Sequence, residues 1–280
     1  MKSTLQPVLA LKNADPRDQN IQFFEENHKY VILSEPHTKY TSVTTWNHKH
    51  FPEFDADAII ASMMKGKSWK EGHKYWGLNA EQIKALWYTN KTGVASAGTD
   101  MHFEIECFMN EKLLPHGYTH EQLYNLYMSQ SIGASKPLEW QYFINFIKDF
   151  PDLKPYRTEW IIFNEDVKIS GSIDMIYENP DGTLSIYDWK RAKNITRVNN
   201  WNKFALPAQI CHLPDSNFWH YAMQLNTYKV ILEDKYGKKV KDLYLVRLHP
   251  DAEEKNYELI KLPDLSYEVR EMFKDIKQNR

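Results

Sequence analysis

Asp174, Asp188 and Lys190 are the residues of this 280-residue chain whose types and spacing best suit chemistry. They lie in GSIDMIYENPDGTLSIYDWKRAK, residues 171 to 193, where two runs of β-branched and aromatic residues, ISGSIDMIY and TLSIYDWK, flank Asn179-Pro180-Asp181-Gly182. Proline fixes φ and glycine permits positive φ, so this string predicts a hairpin turn. A loop centred on Asp181 sets Asp174 opposite Asp188, with Cβ atoms roughly 4.5–5.5 Å apart, a spacing at which like charges destabilise a sheet. Strand side chains alternate, so Asp188 and Lys190 share a face and Trp189 takes the other. Two hard carboxylates beside an ammonium suit a hydrated Mg²⁺ or Mn²⁺ and a phosphate group. A D-x-K on a strand is most often a solvated ion pair. Here Ile186 and Trp189 put the strand inside a sheet, where unpaired charge is costly.

The elements that must position these residues divide into a helical front and a mixed back. IQFFEENHKYVIL reads as a short hairpin, and Thr41-Ser42 offers an N-cap for a helix through VTTWNHKHF. Helical patterns follow at 55–66, 79–91, 98–111, 118–129 and 136–149. Strands are expected at 156–164, 169–177 and 183–191, then a helix at 217–235, strands near 241–248 and 256–261, and a last helix from 264. The expected division is 1–150, a hairpin and helical region, and 151–280, a catalytic core, acting as one integrated unit. The irregular stretch 194–216 is long for a loop, and such stretches tend to be functional or mobile.

Hydrophobic residues make up 42% and charged residues 26%, an ordinary globular composition. The length suits one large core or a core with a helical annex. No apolar run approaches the ~18 residues of a membrane span, and the N-terminus lacks the apolar stretch of a secretory signal. Two cysteines, Cys107 and Cys211, cannot by themselves build a four-cysteine zinc site or an iron-sulfur cluster, and no disulfide framework is expected. A reducing, intracellular compartment fits. A net charge of -2 argues against passive coating of DNA. It does not exclude an acidic metal centre offset by local basic patches. One patch interleaves Lys65, Lys67, Lys70 and Lys74 with Trp69, Tyr75 and Trp76; another is Lys190, Arg191, Lys193 and Arg197. Cations for phosphates and rings for unstacked bases suit single strands.

Two helical i,i+4 pairs complete the set. His102 and Glu106 share a face near Ile105 and Phe108, and Gln224 and Tyr228 lie in HYAMQLNTYKVIL, where Phe218, Tyr221, Ala222, Leu225 and Leu232 form the buried stripe. In chain order, G-T-x-x-H (Gly98, Thr99, His102), G-x-x-D (Gly171, Asp174), D-x-K (Asp188, Lys190) and Q-x-x-x-Y (Gln224, Tyr228) resemble the RecB-type exonuclease branch of the PD-(D/E)xK nuclease superfamily, over residues 95 to 235. YTSVTTWNHKHFPEFDADAII together with GTDMHFEIE further resembles the mitochondrial genome maintenance exonuclease family and its homologues in large eukaryotic DNA viruses. Asp188 stands where many superfamily members carry Glu, and the cysteine cluster of iron-sulfur relatives is missing.

The resemblance implies an α/β fold with a restriction-endonuclease-like core, a mixed central sheet flanked by helices, and an N-terminal helical clamp or arch. It implies that Asp174, Asp188, the Trp189 carbonyl and His102 ligate Mg²⁺ or Mn²⁺, with no iron-sulfur cluster. Lys190 would orient or help deprotonate the attacking water, Gln224 would hold the phosphate or the hairpin, and Tyr228 would support it or contact a base. Glu159, on the preceding strand, would stand behind the metal ligands or hold a second metal, with Glu106 a weaker candidate for the same role. Thr99, Arg191, Lys193, Arg197, Tyr228, Ser42, Lys67 and Lys70 are the expected DNA contacts. The implied activity is metal-dependent cleavage of single-stranded or flapped DNA from a free end, in replication, recombination or repair, in a viral, organellar or nuclear setting. A structure- or sequence-specific endonuclease, a non-catalytic nucleic-acid-binding subunit and a small-nucleotide phosphohydrolase stay open. So do polarity, DNA against RNA, the number of metal ions, the oligomeric state and the protein partners.

Overall fold

The computed structural model describes residues 7–27, 29–112, 119, 121–122, 125, 138–199 and 201–278. In chain order its strands are β1 (Ile21–Phe24), β2 (Lys29–Ile32), β3 (Thr41–Ser42), β4 (Lys154–Asn164), β5 (Ile169–Glu178), β6 (Leu184–Lys190), β7 (Val240–Arg247) and β8 (Glu258–Lys261). Its helices are α1 (Val8–Lys12), α2 (Val43–His48), α3 (Ala56–Lys65), α4 (Ala80–Met109), α5 (Leu138–Asp149), α6 (Asn217–Tyr236) and α7 (Ser266–Gln278). Met1–Pro52 and Met101–Arg280 form one compact unit, and Glu53–Asp100 a second.

The first unit is built on a mixed sheet in the order β3-β5-β6-β7-β8, with β4 paired to β5. β5 and β6 form the expected hairpin, with Met175 opposite Tyr187 and Ile176 opposite Ile186, the register that a loop centred on Asp181 requires. Gly182 takes a φ of 76°, its N–H bonds Asn179 O at 2.9 Å, and the Asp181 carboxylate accepts the Thr183 N–H at 3.1 Å. β6 and β7 are parallel, so the chain must cross over between them, and α6 makes that crossing. α6 ends where Gly237 enters the left-handed region at a φ of 61°, and the Lys238 N–H returns to Leu232 O at 3.1 Å.

Helices cover both faces of the sheet. On one, α2, α6 and α7 pack Val43, Phe218, Leu225, Val230 and Phe273 against Trp160, Ile173, Ile186 and Leu245. On the other, the last turns of α4 and all of α5 pack Ile105, Trp140, Phe143 and Phe146 against Met175, Tyr187, Trp189 and Val246. This is a mixed α/β architecture with a central mixed sheet flanked by helices. α6 is buried on more than the expected stripe: Asn226, Thr227, Tyr228 and Lys229 are buried as well. Its polar groups are satisfied, since Asn226 bonds Pro263 O and the Leu265 N–H and Lys229 meets Asp264 at 2.7 Å.

The helices expected at 79–91 and 98–111 are one helix, α4. Neither Gly93 nor Gly98 stops it, because an interior glycine costs only about 1 kcal/mol and a proline is needed to break a helix outright. The helix expected at 118–129 lies largely outside the described residues. The helix from Val43 is shorter than VTTWNHKHF and ends at His48. The stretch 194–216 is irregular as expected but anchored, with Ala205, Ile210 and Leu213 buried in the core. Within the second unit, Asp55 caps α3 through the Ala58 N–H at 2.9 Å. Asn79 and Gln82 exchange reciprocal bonds at the start of α4, and Trp87 Nε1 donates to the Tyr75 hydroxyl at 3.0 Å.

Two stability tests follow from this packing. A Cβ on Gly171 would sit 2.9 Å from Tyr228 Cε1 and 3.1 Å from Val43 Cγ2, so Gly171→Ala overpacks the core and is expected to cost about 1–3 kcal/mol in urea unfolding. Asp166 bridges Lys235 at 2.9 Å and Lys277 at 2.7 Å, and its bonds to Lys277 and Lys235 hold its carboxyl down to about 2. A depressed carboxyl stabilises the fold above its unfolded pKa and loses that contribution as pH falls through the folded value. Asp166→Asn should therefore destabilise fully at pH 6, with the gap to wild type shrinking steadily below pH 4 in denaturant titrations.

Candidate active site

β5 is paired with β4 along its whole length. On its other edge β3 covers Ile169 and Ser170, and β6 covers Met175 to Glu178, leaving 171–174 between them. Around that gap the apolar alternation slips by one residue: Ile173 and Ile176 enter one core while Met175 and Tyr177 enter the other. Asp174 sits at the slip, and its Oδ2 accepts the Trp189 N–H at 3.0 Å, so a side chain takes the place of a ladder bond. Across from it the β4 register, with Thr158 on Met175 and Trp160 on Ile173, sets Glu159. Glu159 has a φ of 42°, a left-handed conformation that costs a non-glycine residue roughly 1–2 kcal/mol and is found where the surroundings impose it. Its Oε2 accepts the Ser172 hydroxyl at 2.9 Å.

His102 reaches the same point from α4. Its Nε2 bonds Trp189 O at 2.8 Å, while Nδ1 lies 3.4 Å from Asp174 Oδ2 and 3.9 Å from Glu159 Oε1. The Trp189 peptide is thus held at both ends, N–H by Asp174 and C=O by His102, and the indole is fixed edge-on to Phe143 and Phe146. One donor atom from each of His102, Glu159 and Asp174 can be drawn into a set lying within 4.8 Å of one another. Burial, and then the charge of Asp188, pushes the Asp174 carboxyl up to about 7. Burial alone would lower the His102 imidazole, yet Asp174 and Glu159 outweigh it and raise it to about 9. Excess negative charge is therefore concentrated here, and two carboxylates with one imidazole are a donor set that fits Mg²⁺ or, with its better tolerance of nitrogen, Mn²⁺.

Asp188 lies outside that triad. It is 2% exposed, and its Oδ2 meets Lys190 Nζ at 2.6 Å. Burial would lower the Lys190 ammonium, but Asp188 and Asp174 outweigh it and raise it. Lys190 also lies 4.6 Å from the Tyr221 ring centroid. Gln224 Nε2 donates to the Tyr228 hydroxyl at 3.1 Å, and the Tyr228 ring fills the space left by the missing side chain of Gly171. Lys190, Tyr221 and Gln224 line a cavity of about 350 Å³ together with Asn47, His48 and His220.

The structure therefore brings together His102, Glu159, Asp174 and the Trp189 backbone, and beside them Asp188, Lys190, Gln224 and Tyr228. Among the expected ligands, the Trp189 carbonyl is occupied by His102 and Asp188 by Lys190, while Glu159 stands in the triad itself. Glu106 is half-buried and outside the triad. Arg191 is committed to Glu139, with Nε 2.6 Å from Oε1, a long-range partner that no local pattern announces. Arg197 lies over the Phe218 ring at 4.0 Å, and Lys193 is exposed, 3.7 Å from Asp251. The Ser42 hydroxyl caps α2 through the Thr45 N–H at 3.1 Å. Thr99 donates to Ala95 O within its own helix at 3.1 Å. Lys67 and Lys70 are exposed, and both belong, like Thr99, to Glu53–Asp100. Tyr221, which sequence reasoning assigned only to the core, faces Lys190; its spacing of one helical turn from Gln224 is the signal that could have found it.

Comparison with known proteins gives the family. The model of the PD-(D/E)XK nuclease superfamily matches residues 110–279. No curated protein matches the chain. Among solved structures, a candidate exonuclease from Eubacterium rectale is similar at 15% identity with a TM-score of 0.27, over 56% of this chain and 63% of that one, less than two thirds of its length. The protein SSO0001 is similar at 18% identity with a TM-score of 0.25, over 57% of this chain and 68% of that one. No described helix is long and apolar enough to cross a membrane.

The triad can be tested without any substrate. Mn²⁺ or Mg²⁺ is expected to raise the melting temperature of the wild-type protein, and Glu159→Gln and Asp174→Asn should each weaken the ion's affinity, read from the concentration dependence of that rise, by more than about tenfold. Glu106→Gln should leave the rise unchanged. An equal loss in all three variants would remove the triad as the metal site.

Proposed function

Because the chain belongs to the PD-(D/E)XK nuclease superfamily, we propose that it is a divalent-metal-dependent deoxyribonuclease that digests single-stranded or flapped DNA from a free end, in replication, recombination or repair. The observation that carries this reading is the meeting of His102, Glu159 and Asp174 within 4.8 Å, beside a lysine whose ammonium is held 2.6 Å from Asp188. His102, Glu159 and Asp174, with Asp188 alongside, would hold Mg²⁺ or Mn²⁺. When bound, such a cation supplies Lewis-acid stabilisation of the negative charge that develops on the scissile phosphate.

The remaining chemistry belongs to the chain's own side chains. Lys190 stays charged against Asp188, so it acts by balancing charge on the phosphate and orienting the attacking water rather than by taking its proton. The Gln224 amide, steadied by the Tyr228 hydroxyl, faces the same cavity as Lys190 and is suited to hold a phosphate oxygen. Tyr221 walls that cavity and fixes the Lys190 chain through its ring. The free-end requirement, the preference for single strands and the biological process rest on the resemblance to RecB-type exonucleases.

Digestion of end-labelled linear, flapped and circular single-stranded DNA in Mg²⁺ tests the reading. Linear and flapped strands should be degraded and circles should resist, and Lys190→Ala should lower kcat by roughly 10²–10³. Rapid cutting of circles would remove the free-end claim alone. Full activity in Lys190→Ala and Asp174→Asn would remove the site.

A further inference from the structure

Away from Lys190, the chain carries a second cavity that the catalytic reading does not use. It has a volume of about 630 Å³ and is lined by Lys29, His37, Lys39 and Lys49, with the hydroxyls of Thr38 and Ser42 among the polar groups between them. All three lysines are exposed. None has an acidic partner among the described residues, although lysines elsewhere in the first unit are repeatedly paired, as in Lys154–Glu178, Lys168–Glu35, Lys229–Asp264 and Lys277–Asp166. Among the described residues no aspartate or glutamate lines the cavity. The nearby Glu35 is taken by Lys168 and Tyr40. In a chain of net charge -2, three unneutralised lysines around one concave surface mark a place for a polyanion.

The cavity also stands next to the catalytic centre. Its β3 wall is hydrogen-bonded to Ile169 and Ser170, on the strand that carries Asp174 only four residues further on, about 13 Å at strand spacing. Tyr30, another lining residue, is buried, and burial together with the charge of Glu159 pushes its hydroxyl up to about 12, so the cavity wall lies within the field of the acidic triad. A strand of phosphates lying there would have its next phosphates led toward Asp174.

We infer that the cleft formed by β2, the loop to β3, β3 and α2 with its C-terminal Lys49 is the bed of a single-stranded nucleic-acid segment, held through its phosphates by Lys29, Lys39 and Lys49, and leading to the Asp174 centre. This rests on the nuclease reading and deepens it by assigning the path of the substrate. Each cation on a single-strand phosphate contributes about 0.7 to the slope of log affinity against log salt.

The test is binding of a fluorescent oligothymidylate by the full chain in EDTA, across a salt series, for wild type, for the triple variant Lys29→Gln/Lys39→Gln/Lys49→Gln, and for a control triple, Lys154→Gln/Lys241→Gln/Lys274→Gln. The cleft variant is expected to bind at least tenfold more weakly at 0.1 M salt and to lose about 2 units of salt slope, with an unchanged thermal melt, and its loss in digestion assays should fall on KM. The control should bind as wild type. Unchanged binding in the cleft variant, or equal weakening in the control, would overturn the inference even if the protein is an active nuclease. A wild type that binds DNA through the cleft lysines yet never cleaves it would overturn the nuclease reading and leave the cleft standing as a binding surface. Binding to vesicles of anionic lipid but not to the oligonucleotide would overturn it in favour of a membrane.

Discussion

Everything at the centre of this molecule depends on how two facing carboxylates are tolerated inside a sheet. Asp174 and Asp188 follow directly on the Met175–Tyr187 pair of the β5/β6 ladder, and Asp188 is fully buried. Like charges in such positions repel strongly in a medium of low polarisability, and isolated buried carboxylates would take up protons instead. The fold answers with three positive groups aimed at them: Lys190 on Asp188, the Trp189 N–H on Asp174, and His102 against Asp174 and Glu159. The compensation is incomplete, since Asp174 is still pushed up to about 7. Charge left over in this way is a reason for a cation to bind.

That requirement reaches outward into the architecture. His102 can meet Trp189 only because α4 packs on the sheet through Met101, Ile105 and Phe108. Tyr228 can steady Gln224 only because Gly171 leaves room for its ring. The ladder must also open between Ser170 and Met175 for Asp174 to turn its carboxylate to the Trp189 N–H. The left-handed Glu159 opposite that opening is the strained counterpart of the same break. The site is thus assembled at a local failure of sheet regularity that both flanking helical layers hold in place.

Much of this was legible from residue order, and for identifiable reasons. The hairpin register followed from the turn string Asn179–Gly182 and the two-residue period of a strand, because a slip of one residue would have turned Asp188 to the face away from Asp174. The order of strands and helices in the back half likewise came from its pattern, whereas the mixed sheet flanked by helices was implied by the resemblance to the nuclease superfamily. Other features had no local signature. β3 is two residues long, too short to show any period, so the return of the first fifty residues to the core through Thr41 and Ser42 could not be read. Glu159 was expected behind the metal ligands, but a Glu with positive φ is imposed by tertiary surroundings, so its place in the triad itself had no local sign. The continuity of α4 through Gly93 and Gly98 reflects how little an interior glycine costs, about 1 kcal/mol each, against the propensity of the rest of the helix. Arg191 looked free because its partner, Glu139, is 52 residues away in sequence.

A chain that is nearly neutral overall can still handle a polyanion if its charges are sorted in space, and here they are sorted along one strand. The middle of β5 carries Asp174 and gathers Glu159 and Asp188 around it. Its N-terminal end meets β3 and the cleft that holds Lys29, Lys39 and Lys49. A phosphate chain is repelled by the first and attracted by the second, so without a cation at the centre the favourable resting place is the basic cleft. Neutralising the carboxylates removes the repulsion at the centre and keeps the attraction in the cleft, because Lys29, Lys39 and Lys49 stay charged. A cation held by His102, Glu159 and Asp174 would supply the positive charge that lets the phosphate approach, while Lys29, Lys39 and Lys49 would hold the rest of the strand as before.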